Sequence, residues 1–158
     1  MEINELQLIA AQPLRELLGD DNTVVALSDA GAHASQLCDA CYSTHLLGHW
    51  SRDEGAMEME KAVHMLTQKP ADLMGITDRG LLAQGRPADV VLFDPEVVGA
   101  TGLTRVYDQP AGQDRLVAQA KGIQAVIVNG TVIREDNKDA VSPGEALPGQ
   151  MLRGGKAV

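Results

Sequence analysis

Asp29 closes the apolar run Thr23-Val24-Val25-Ala26-Leu27-Ser28, and His33 follows it across the small residues Ala30, Gly31 and Ala32. A carboxylate at that position can ligate a cation or carry a proton. It can equally cap a turn or the next helix, as aspartates after strands commonly do. His33 offers the same choice: it can orient the carboxylate, donate to a bound molecule, or cap its own loop. A second group follows closely, Cys38-x2-Cys41-x3-His45-x3-His49. Thiolates and imidazoles so spaced suit a tetrahedral zinc site. The alternative is that His45 and His49 share a helical turn and pack with Trp50. A redox role for Cys38 and Cys41 has no thioredoxin-like strand-to-helix context in support.

The elements that hold these residues read as alternating helices and strands. Pro13, then Leu14, Leu17 and Leu18 on one face, then Gly19, predict a short helix. Asp20-Asp21-Asn22 is a turn. The continuous apolar run over 23–28 predicts a strand buried on both faces, as in a parallel sheet. Acids at the carboxyl ends of such strands are where barrel enzymes keep their chemistry. Met59, Ala62, Val63 and Leu66 predict a helix from Met57 to Gln68, stopped by Pro70, with a second short helix over Ala71 to Met74 ended by Gly75. Met57, Met59 and Met65 read as helix packing, and Ser51-x-x-Glu54 as a capping box.

Beyond residue 80 the character changes. Asp89 to Asp94 reads as a strand, and Ala125 to Val128, Asn129-Gly130, then Thr131 to Ile133 as a hairpin. Asn-Gly accepts positive φ at both positions of a type I′ turn. Three regions are expected: strand–helix units over 1–79, β-strands over 80–135 and an extended tail over 136–158. One or two strand–helix units cannot close a barrel, so they leave an apolar sheet edge open. On this reading the chain is the carboxyl-terminal part of something larger, and the edge calls for self-association or a complementary chain.

Composition limits the function classes. The 158 residues suffice for an ordinary domain, and 44% hydrophobic with 22% charged residues is normal for a soluble protein. A net charge of -9, with one Trp, two Tyr and one Phe, provides no basic stripe or stacking platform for nucleic acid. It also disfavours an anionic membrane surface. No apolar run is long enough for a membrane span and no secretory signal is evident, so a cytoplasmic location is expected.

Several segments together resemble the carboxyl-terminal part of the amidohydrolase superfamily, in its D-aminoacylase and N-acyl-D-amino-acid deacylase branch. They are Leu27 to His33, Cys38-Asp39-Ala40, His49-Trp50, Leu66 to Ala71, Gly75 to Gly80, Gly85 to Val91, Asp108 to Gly112 and Val128-Asn129-Gly130. The resemblance implies the end of a metal-dependent (β/α)8 barrel with residues 23–28 as its eighth strand. It also implies a small β-sandwich receiving residues 88–94 and 122–135. It assigns Asp29 as metal ligand and catalytic acid/base, beside one or two zinc ions in the parent enzyme. A divalent ion lowers the pKa of bound water, and a carboxylate beside it can take that proton and return it to a leaving amine. His33 is the candidate for substrate contact or for support of the carboxylate.

The sequence contains no His-x-His, so most of the family's metal ligands are missing. A catalytic zinc needs about three protein ligands and an open position, and the chain alone is expected to be inactive and not to retain metal. No arginine lies between Asp29 and Arg52 to hold a substrate carboxylate. This leaves an N-acyl-D-amino acid or another amide or cyclic amide as the small-molecule substrate. The alternative is a non-catalytic interaction module.

Overall fold

The computed structural model describes residues 12–26, 28, 31 and 33–157, with the side chain of Ala157 excepted. Residues 12–19 form helix α1. Helix α2 spans Tyr42–His45 and runs directly into a π-helix over Leu46–Asp53. Helix α3 is Met59–Leu66 and α4 is Gln68–Leu73. The strands are β1 Val90–Phe93, β2 Gly99–Ala100, β3 Thr104–Val106, β4 Arg115–Val117, β5 Ala120–Lys121, β6 Ile123–Val128, β7 Thr131–Glu135, β8 Lys138–Asp139, β9 Leu152–Arg153 and β10 Lys156–Ala157.

Leu18 of α1, Leu46 and Leu47 of the π-helix, Ala62 and Met65 of α3, and Val98 form one buried cluster. Met57 and Met59 pack against it, as the methionine pattern predicts, and Phe93 and Ile123 of the strands join them. The π-helix is wider than an α-helix because its hydrogen bonds close at i→i+5; at its end Glu54 N–H donates to His49 O at 2.9 Å. Gly48 lies on its buried side. A Cβ there would fall 2.3 Å from the Val98 carbonyl oxygen and 3.0 Å from Gly99 Cα, so only glycine lets helix and backbone meet. Arg52 closes the same seam by donating to Val98 O at 2.6 Å.

The larger sheet has the order β1-β6-β7-β8, all antiparallel. Asn129 and Gly130 both have positive φ, 47° and 81°, and join Val128 to Thr131 as the type I′ signal requires. Asp89 supports this corner: its Oδ1 accepts from Asn129 N–H at 2.7 Å and its Oδ2 pairs with Arg79 Nε at 2.7 Å. Three two-stranded ladders, β2–β5, β3–β4 and β9–β10, complete the β structure. Thr77 N–H donates to Gly155 O at 2.9 Å, tying the last hairpin to the turn after α4.

Three expectations are corrected. Residues 23–26 join no ladder among the described residues, and every described pairing is antiparallel. A strand exists by virtue of its neighbours, and among the described residues this segment has none beside it. The helix break falls at Thr67, with φ -127° and ψ -88°, while Pro70 sits inside the first turn of α4. The first-turn N–H groups have no intrahelical acceptor, so proline costs nothing there. Ser51 caps no helix; it is buried in the π-helix and its hydroxyl donates to Met57 O at 3.1 Å.

Candidate functional site

Asp29 lies outside the described residues. His33 is described: it is exposed, with φ at 50° in the left-handed region, and begins a turn. Gln36 N–H and Leu37 N–H both donate to its carbonyl, at 2.6 and 3.0 Å. The β3–β4 hairpin grips this turn from across the chain. Leu116 N–H donates to Ala34 O at 2.8 Å, and Arg105 Nη1 donates to Ser35 O at 3.2 Å. Arg105 is itself paired with Asp114 on the same hairpin. These contacts bridge 70 or more positions of sequence, and no local pattern announces them.

The Cys38, Cys41, His45 and His49 group does not converge. The two imidazoles stack at 4.7 Å between centroids, and His49 meets Trp50 edge-on at 5.0 Å. This is the packing alternative. Burial, and secondarily the charge of His49, hold the His45 imidazole below its ordinary pKa. The Cys41 thiol points back to the Cys38 carbonyl at 3.9 Å. Among the described residues no three His, Cys, Asp or Glu side chains gather to hold a metal ion. The donors among the described residues therefore do not form a zinc centre.

Arginine–aspartate pairs organise the remaining surface. An open cleft of about 430 Å³ is lined by Val106, Asp108, Arg115, Val117, Gln119 and Arg134, among others. Arg115 grips Asp108 through two bonds of 2.7 Å. The hydrogen bond from Arg115 pulls the Asp108 carboxyl below its usual range, and the same bond raises Arg115. Arg134 pairs with Asp139 at 2.5 Å and donates to Asn137 O. Arg52 lowers Asp53 in the same way, with Nε to Oδ1 at 2.7 Å. These guanidiniums are already paired with carboxylates of the chain itself.

The model of the Amidohydrolase family matches residues 3–134, and the chain belongs to that family. It is 35% identical over 115 residues to an N-acyl-D-aspartate deacylase of Alcaligenes xylosoxydans xylosoxydans, covering 73% of this chain and 20% of that protein. Among solved structures it is similar to a D-aminoacylase, with a TM-score of 0.50 and 33% identity over 63% of this chain and 19% of the other. It is also similar to the N-acyl-D-glutamate deacylase of Bordetella bronchiseptica, solved with zinc and a phosphonate inhibitor. There the TM-score is 0.50 and the identity 34%, over 70% of this chain and 20% of the other. The chain spans about one fifth of the length of these relatives. Among the described residues no helix is long and apolar enough to cross a membrane.

Proposed function

We propose that this chain is the carboxyl-terminal portion of a metal-dependent amidohydrolase acting on a carbon–nitrogen bond of a small amide, with an N-acyl-D-amino acid as the favoured substrate class. The observation that carries this reading is the similarity to a zinc-bound N-acyl-D-glutamate deacylase across 70% of this chain. In this reading residues 1–79 contribute the last strand and helices of a (β/α)8 barrel. Residues 80–135 contribute strands of a small β-sandwich, and 136–158 the tail. Asp29 is the chain's metal ligand and acid/base group, and His33, on the turn held by β3–β4, faces the substrate or supports the carboxylate. One carboxylate is too few for a catalytic zinc. The other ligands belong to polypeptide this chain does not contain, and the isolated chain is inactive.

A specific observation also favours assembly with itself or a complementary chain. Leu73, Met74, Leu82, Val91, Leu92, Leu147 and Met151 are all more than half exposed. In this reading these side chains meet a second polypeptide.

The test is zinc binding and hydrolysis of N-acyl-D-amino acids, measured for the chain alone and after joining it to an amidohydrolase segment carrying the missing His-x-His. The isolated chain is expected to bind no stoichiometric zinc and to turn over nothing. The joined protein is expected to do both, and Asp29→Asn in it to lose at least a hundredfold in activity. Turnover by the isolated chain, or a joined protein indifferent to Asp29→Asn, defeats the proposal.

A further inference from the structure

Cys38 and Cys41 are the chain's two cysteines; both are free and both half-buried. Three features set them apart from two incidental thiols. The Cys41 sulfur is directed back over its neighbour's backbone, 3.9 Å from the Cys38 carbonyl oxygen. A hydrogen-bonded turn overlaps this segment, Tyr42 N–H donating to Asp39 O at 3.1 Å, so the chain bends at Ala40 and Cys41. Both ends of that segment are anchored. Upstream, Leu116 and Arg105 hold residues 34 and 35; downstream, His45 N–H donates to Cys41 O at 2.9 Å as the helix begins. A disulfide demands close approach of the two Cβ atoms and a defined torsion, and the anchored segment keeps the Cys41 sulfur beside the Cys38 backbone.

We propose that Cys38 and Cys41 form a reversible dithiol–disulfide site that takes low-molecular-weight disulfides as its oxidant. One thiolate attacks a sulfur of the oxidant, forming a mixed disulfide and expelling the first oxidant thiolate. The second cysteine thiolate then attacks the bonded cysteine sulfur, closing the Cys38–Cys41 bond and expelling the second. Two electrons pass from the protein to the oxidant, and the protons lost by the cysteines end on two small thiols. A ring closed over so few residues removes little chain entropy, so little favours the bridge over the dithiol and it is readily reduced. The site needs neither the metal nor the substrate of the amidohydrolase reading, and stands or falls independently of it.

The experiment incubates the purified chain with oxidised glutathione, then measures intact mass and free thiols without reductant. The expected product is a monomer lighter by two hydrogen atoms, with free thiols falling from two to zero and returning fully on reduction. Cys38→Ser and Cys41→Ser should each instead hold a stable glutathione adduct, because the resolving thiol is gone. Phenylarsine oxide, which bridges two adjacent thiols with release of one water, should add once to the chain and fail to persist on either variant after a monothiol wash. A wild-type chain that accumulates the glutathione adduct, forms intermolecular dimers or retains both thiols overturns the proposal, as does equal arsenical retention by the single variants.

Discussion

The segment 42–73 buries Leu46, Leu47, Ala62, Met65 and Ala71, whereas among the described residues of 90–135 Val98 alone reaches that burial. The first segment coheres through side chains packed from three helices. The second coheres through backbone ladders whose faces stay open, with Val91 and Leu92 of β1 both more than half exposed. Where the core is made of side chains, a substitution is felt as volume. Where the ladder is made by turns, it is felt as a change in backbone preference.

Four substitutions or titrations sharpen that contrast, from the largest effect to the smallest. Met65→Ala removes the largest fully buried side chain of the described helices and should cost about 3 kcal/mol in chemical denaturation. A cost near zero would mean that this cluster is not the core. Gly48→Ala pushes a methyl into the Val98 carbonyl and should cost about 2 kcal/mol. Gly130→Ala meets no atom within 4 Å, yet keeps a φ of +81°, and should cost about 1 kcal/mol through backbone strain alone. Finding Gly130→Ala costlier than Gly48→Ala would invert the comparison. The smallest effect concerns His45. Its folded pKa lies below the unfolded value near 6.5. The folded state therefore holds its neutral form, and the associated stability is present above pH 6.5 and declines as pH falls through the folded pKa. His45→Gln should flatten this part of the stability profile, leaving the drop at lower pH that follows protonation of Asp53 and Asp108, both depressed by arginine partners.

The same division explains what could be read from residues alone. Asn129-Gly130 announces its hairpin because φ is positive at both positions, and the strand around Val91 and the helix around Ala62 follow from local pattern. The π-helix does not, since Leu46, Leu47 and Gly48 acquire their geometry from Val98 and Gly99, some fifty positions away. Nor does the break at Thr67, which displaced the more obvious signal at Pro70. The apolar run before Asp29 has strand composition, but a strand is completed by neighbours. Of the two proposed site residues, His33 begins a turn whose next two carbonyls, of Ala34 and Ser35, are held by a hairpin that no spacing foretold, and the role of Asp29 rests on resemblance.

Arg52 carries one more consequence. Its Nη1 reaches neutral acceptors, the carbonyls of Val98 and, at 3.5 Å, Pro95, whereas Arg15, Arg115 and Arg134 lean on exposed carboxylates. Added salt screens attraction between solvent-facing ions and leaves a short bond to a peptide oxygen largely intact. At high ionic strength the outer charge pairs loosen first, and the joint between the π-helix and the β-strands persists.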